Sequence, residues 1–217
     1  MHWADFAAQT LSQRGSKHII ASGITPSGEF HIGHLREILT GDMITRACRS
    51  AGLDAEFVFI VDSADPLRKV YPFLSDEYEQ YIGCALATIP APDENGKPGN
   101  DGRNYAEHFL EPFLAALAQI DVRPRIIDNY DSYANGKFAE KSRIACEKAG
   151  EIREIIERVS GRELAEKWFP YNPYGHDGSL DGVTVTGFEW PYVYWEQNGV
   201  PGKSDLNKAD GKLPWRI

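Results

Sequence analysis

"KHIIASGITPSGEFHIGHLREILTGD", residues 17 to 42, decides how the chain is read. Its first seven residues form a short strand pattern ending at Gly23, and a loop of Thr, Pro, Ser and Gly follows. From Ile32 onward, Leu35, Ile38, Leu39, Met43, Ile44 and Ala47 recur at three- and four-residue intervals as far as Gly52, which predicts a helix. The next segment, "AEFVFIVD" (55–62), is continuously apolar, the pattern of a strand covered on both faces in a parallel sheet. Strand, helix and strand in that order make a βαβ unit, and ligands of such sheets collect where a strand's carboxyl end meets the next helix.

At that handover the sequence sets two histidines. A helix amino end carries unpaired N–H groups and partial positive charge, so it attracts phosphate. Pro26, Ser27 and Gly28 shape the crossing loop, Gly33 lets a flat ring approach the backbone, and His31 and His34 share one helix face from which both can donate to phosphate oxygens. Taken singly, a histidine here is a surface or capping residue. A pair flanking a glycine behind such a loop points to a nucleotide site. Cys48, on the same helix, reads as a core filler because no histidine base is near it in sequence.

Outward from this unit, residues 2 to 14 read as a short surface helix, and 83 to 103 as a loop dense in Pro, Gly, Asn and Asp. Asn104 and Glu107 form a capping-box pattern ahead of the stripe Tyr105, Phe109, Phe113 and Leu117, in which Pro112 predicts a kink or two abutting helices. "RPRIID" (123–128) reads as a strand, residues 135 to 160 as one long helical stretch stopped by Gly161, and "GVTVTGFEW" with "PYVYWEQNG" (182–199) as a small antiparallel hairpin.

The 217 residues carry 32 acidic and 23 basic side chains, a net charge of −9, so an RNA partner would have to be met by a local patch. Cys48, Cys84 and Cys146 stand far apart without a CxxC pair, which speaks against a disulfide framework and a thiolate zinc site and for a cytoplasmic location. No apolar run approaches the ~20 residues that cross a bilayer, so no membrane partner is expected.

The stretch "PSGEFHIGH" resembles the nucleotidyl-transferase signature of class I aminoacyl-tRNA synthetases. "DPLRKVYPFL" (65–74), "YAEHFLEPFL" (105–114), "VSGRELAEKWFPYNP" (159–173) and "GKLPWRI" (211–217) extend the likeness to the archaeal-type class I lysyl-tRNA synthetases across nearly the whole chain. The resemblance implies a Rossmann-like, doubly wound α/β sheet with a helical insertion in residues 1–167, and an aromatic-rich antiparallel β hairpin in 168–217. It implies a lysine-tRNA ligase that uses ATP with Mg2+ to make lysyl-adenylate, then charges tRNA(Lys) through the full-length enzyme. His31 and His34 would contact the ATP phosphates as the catalytic pair, Gly33 would underlie the adenine, and Pro26, Ser27 and Gly28 would complete the ATP loop. Gly23 and Thr25 match positions lining the lysine pocket, and Asp62, at the end of the second strand, is a reasonable ammonium acceptor. Arg68 and Lys69 read as a solvated basic pair, with approach to phosphate or the tRNA acceptor end as the alternative.

Two departures qualify the resemblance. The lysine-rich second signature of class I enzymes is missing, since "GKSDLNK" (202–208) has neither its spacing nor its position, and the chain reads as an amino-terminal portion. A noncatalytic nucleotide-binding paralogue, or another transferase with the same histidine signature, is therefore the alternative. The cysteines that relatives carry for zinc are also missing: Asp93 and His108 remain in the first region, His176 and Asp177 in the second. Zinc needs about four N, S or O ligands, so no metal ligand is assigned, zinc is not expected, and Tyr/Trp packing is expected to replace it in a degenerate zinc-ribbon-like region.

Overall fold

A computed structural model describes residues 2–215; Met1, Arg216 and Ile217, at the outer ends of the two expected regions, lie outside the described residues. Helix α1 (Trp3–Ser12) is capped by His2, whose ring accepts from the Ala4 amide at 3.3 Å. Strand β1 (Lys17–Ile24), helix α2 (Ile32–Ser50) and strand β2 (Asp54–Val61) then realise the βαβ unit. A long insertion with one 3₁₀ turn (Asp76–Tyr81) leads to helix α3 (Tyr105–Gln119), and strand β3 (Arg125–Asp128) completes a parallel sheet in the order β1-β2-β3.

One face of this sheet makes the main core. Phe57, Phe59 and Val61 of β2 lie under Ile38 of α2 and under Phe113 and Leu117 of α3. Each such side chain contributes roughly 1.5–3 kcal/mol when fully buried, so this layer fixes where both strands end. Helix α2 comes close to β2 because Gly41 has no side chain; a Cβ there would collide with the Phe57 ring. On the other face Ile19 is 63% exposed, and Glu56 pairs with Arg125 at 2.6 Å.

Pro112 does not divide α3. The capping box forms as expected, Asn104 accepting from the Glu107 amide at 2.9 Å and Glu107 from the Asn104 amide at 3.1 Å, and one helix runs through the proline. Buried Phe109 and Phe113 lie on either side of it, and their seating outweighs the single backbone bond that proline forfeits. The short helix α4 (Asn129–Ala134) precedes the stretch expected as one long helix, and 135–160 itself holds two, α5 (Ala139–Glu147) and α6 (Ala149–Ser160). The chain breaks where Gly136 takes a left-handed φ of 67° and again at Lys148, and Gly161 ends α6 with the same φ.

The C-terminal part holds more than one hairpin. Strands β5 (Val183–Glu189), β6 (Tyr192–Gln197) and β7 (Val200–Asp205) form an antiparallel sheet, and a two-residue ribbon joins β4 (Asn172–Pro173) to β8 (Gly211–Lys212). "VPGKSD" carries no strand pattern, yet it pairs because Gly202 lies under the Trp195 ring, where any side chain would clash. Where Tyr/Trp packing is expected, the buried residues are Trp195 with the aliphatic Val193 and Leu206. Gln197 adds a polar hub: its amide nitrogen donates to Asp177 and to the Asp181 carbonyl at 3.0 Å each, and its oxygen accepts from the His176 amide at 2.9 Å.

Two stability outcomes follow from these contacts. Gly41→Ala should lose about 1–2 kcal/mol in urea unfolding, since the clash with Phe57 exceeds the helical gain of alanine over glycine. Gln197→Leu leaves the His176 amide and the Asp181 carbonyl without their partner and should cost about 2–4 kcal/mol; a loss below half a kilocalorie would remove its hub role.

Candidate active site

Strands β1 and β2 end side by side. The Asp62 amide donates to the Ile24 carbonyl at 3.0 Å, so Thr25 and Asp62 leave the sheet at one edge. Asp62 is 2% exposed and accepts from the Asn129 side-chain nitrogen at 2.6 Å, while the Asn129 oxygen accepts from the Ala64 amide at 2.9 Å. Asn129 opens α4 just after β3, so all three parallel strands contribute to one polar floor. Next to it, Ser63 donates to Asp128 at 2.5 Å, and burial pushes the Asp128 carboxyl upward although that bond opposes it.

The loop from Thr25 to His31 is fastened at four points. Thr25 donates to Asp65 at 2.8 Å, and the buried Tyr105 hydroxyl at the start of α3 donates to the Ser27 carbonyl at 2.8 Å. Phe73 covers Gly28, where a Cβ would stand 3.2 Å from its ring, and Phe30 stacks on Phe113 at 4.2 Å between centroids. Pro26 is buried.

His31 and His34 cap one another's backbone. The Nδ1 of His31, the N-cap residue of α2, accepts from the Gly33 amide at 3.0 Å, and the Nδ1 of His34 accepts from the His31 amide at 3.1 Å. The rings stack with centroids 3.9 Å apart, and Gly33 has no side chain because a Cβ would strike the His31 ring. A ring nitrogen that accepts carries no hydrogen, so both neutral imidazoles hold their proton on Nε2, on the ring edge turned away from the backbone. Burial pushes the His34 pKa below the ordinary histidine value, its neighbour His31 adds to that, and Glu37 opposes it. With both Nδ1 atoms accepting, the pair presents its Nε2–H groups as donors at the amino end of α2.

Beyond the strand ends lies a cavity of about 580 Å³, walled by Asp62, Asp65, Arg68, Asn172, Asp181 and Lys212 together with Trp215. Burial would raise the Asp65 carboxyl, but the Lys212 ammonium and the Thr25 hydroxyl outweigh it and hold Asp65 below the usual carboxylate range. Among the expected lysine residues only Asp62 lines this cavity; Thr25 stands behind its wall, bonded to Asp65, and Gly23 lies further back in β1 opposite Ile60. None of the expected phosphate residues lines this cavity; they form the adjoining loop and helix end. Asp65, Tyr105, Asn129 and Lys212 escaped the sequence reading. Asp65 and Lys212 do stand inside the quoted segments "DPLRKVYPFL" and "GKLPWRI", yet nothing in their spacing pairs residues 147 apart. Of the basic pair, Arg68 reaches the cavity wall, whereas Lys69 lies over the Tyr71 ring at 5.3 Å.

Similarity to known proteins accords with this geometry. The family model for class I tRNA synthetases (K) matches residues 1–217. The chain belongs to the class I tRNA synthetase (K) family. It is similar to the lysine–tRNA ligases of Archaeoglobus fulgidus (41% identical, covering all of this chain and 43% of the relative), Picrophilus torridus (39%, all of this chain and 42% of the relative) and Methanocaldococcus jannaschii (42%, all of this chain and 41% of the relative). This class I synthetase chain thus spans about two fifths of the length of the curated relatives it matches. No helix among its described residues is long and apolar enough to cross a membrane.

Of the four residues left where the resemblance would place zinc ligands, three are engaged elsewhere, and the fourth, His108, keeps a buried Nδ1 with no hydrogen-bond partner among the described residues. Asp93 accepts from the Asn95 and Lys97 amides, Asp177 is taken by Gln197 and the Ser179 amide, and the His176 ring packs on Trp195 at 4.8 Å. Among the described residues no group of three His, Cys, Asp or Glu could hold a metal ion.

The cap makes the synthetase chain acid-sensitive in a defined direction. With the folded pKa of His34 lowered, its contribution is fully present above the unfolded value of about 6.5 and is lost as pH falls through the lower folded value. Nitrogen-resolved NMR should show both rings as Nε2–H tautomers at neutral pH, with His34 titrating below free histidine. A midpoint above it would contradict the capping geometry.

Proposed function

We propose that this chain forms the ATP- and lysine-binding portion of a lysine-tRNA ligase. In the reaction the lysine carboxylate attacks the α-phosphorus of ATP in line, pyrophosphate leaves, and the resulting lysyl-adenylate passes its acyl group to the terminal ribose of tRNA(Lys). No protein nucleophile is needed, so catalysis is positioning plus neutralisation of developing charge. The observation that carries the reading is the pair of cross-capped imidazoles at the start of α2, with Nε2–H donors turned outward beside a cavity floored by Asp62.

On this reading His31 and His34 donate to phosphate oxygens, Gly33 lies beneath the adenine, and Pro26, Ser27 and Gly28 keep the loop in shape. Gly23, Thr25 and Asp62 serve the amino acid, and Mg2+ accompanies the ATP phosphates. The division into a catalytic half over 1–167 and an aromatic insertion over 168–217, a cytoplasmic location, and tRNA(Lys) as partner of the full-length protein belong to the same proposal. The lysine-tRNA ligase names of the similar proteins support it. No lysine-rich second signature occurs in these 217 residues, so exchange is expected to be slow.

Amino-acid-dependent ATP–pyrophosphate exchange across a panel of amino acids tests it. Lysine alone should support exchange, and His34→Ala should lower the rate by about 10²–10³, while His34→Asn, which keeps a donor, should lose far less. Exchange driven by another amino acid would move the chain to a different specificity. ATP binding without exchange would favour the noncatalytic nucleotide module.

A further inference from the structure

Lys212 is a lysine in the wall of a cavity proposed to receive lysine. It is 8% exposed, it comes from β8, and its ammonium is bonded to Oδ1 of Asp65. The other oxygen of Asp65 accepts from the Thr25 hydroxyl at 2.8 Å. One carboxylate is thus gripped from both sides, by a cation of the C-terminal ribbon and by the loop that follows β1.

The polarity of this chain of contacts has a chemical consequence. A threonine hydroxyl has one hydrogen and two lone pairs, whereas an ionised carboxylate only accepts. While Asp65 is ionised, the Thr25 hydrogen is committed to it, and Thr25 offers any other group an acceptor and nothing else. A neutral partner at residue 65 could donate instead, freeing the Thr25 hydrogen to face an incoming cation. Lys212 is the buried cation paired with Asp65; Arg68, the other cation of the wall, is exposed, so solvent weakens its hold. The ribbon that carries Lys212 is itself anchored, since the Leu213 amide donates to the Tyr133 hydroxyl at 2.9 Å and the Tyr174 hydroxyl donates to the Ala64 carbonyl at 2.8 Å.

We propose that Lys212 is a positioning residue of the amino-acid pocket: through Asp65 it fixes the Thr25 hydroxyl as an acceptor for an ammonium group of the substrate. This rests on reading the cavity as the amino-acid site. The C-terminal ribbon thereby takes part in choosing the substrate from more than a hundred residues away in sequence.

Isothermal titration of the 217-residue chain with lysine, and separately with ATP, tests the proposal. Lys212→Met should weaken lysine binding by about tenfold or more, the worth of a hydrogen bond to a charged group, and leave ATP binding unchanged. Lys212→Arg should restore most of the loss. Thr25→Val should show a loss of its own, and Lys212→Met added to Thr25→Val should weaken binding no further, because both act on one bond. Unchanged lysine affinity in Lys212→Met, or losses that multiply in the double variant, would overturn it. Circular dichroism checks folding, and Asp65→Asn combined with Lys212→Met supplies a variant without a stranded buried charge, expected to match the lysine loss of Lys212→Met. If the wild-type chain binds no lysine, the amino-acid reading fails by itself. The coupling is then judged from amide exchange at Thr25 and Ser27: faster exchange in Lys212→Met, restored in Lys212→Arg, sustains it, and unchanged rates overturn it.

Discussion

The handover from β1 to α2 depends on two imidazoles, each bonded to the other's end of the same helical turn. Because both Nδ1 atoms are consumed by backbone amides, the tautomer, the ring orientation and the direction of the remaining N–H are set together. The loop that precedes the helix is fixed with equal economy, by Asp65, Tyr105, Phe73 and Phe113 from four different places in the chain. Local capping and distant packing therefore converge on seven residues, and the donor pair is built by the fold itself.

What was legible in the sequence is what is local. Strand, helix and strand over 17–61 were readable because each is a periodic pattern of its own length, and the histidine pair because a capping position is defined by its neighbours. Pro112 misled because its cost is local while its compensation, the seating of Phe109 and Phe113, is tertiary. Gly136, in "ANGK", was a turn cue at the very start of the expected stretch, whereas the division at Lys148 falls among helix-forming residues that concealed it. Asp65 and Lys212 had no cue at all, since a charge pair across 147 residues exists only once the ribbon folds back onto the sheet.

The C-terminal sheet is held to the turn before it by a polar side chain. Gln197 joins the 175–181 turn to β6 with three hydrogen bonds, and Val193 and Trp195 of the same strand are buried. Such a hub is neutral and needs no deprotonated ligand, so it holds the turn without a redox or metal requirement.

Tyr105 belongs to the insertion between β2 and β3, yet its hydroxyl holds Ser27 in the loop after β1. A strap anchored in this way has little freedom left to surrender when a ligand arrives, and the entropy normally lost on docking has already been spent during folding. Sequence drift around Tyr105 would then register at a distance, as a loosening of the loop after β1 rather than as damage to the helix that carries the change.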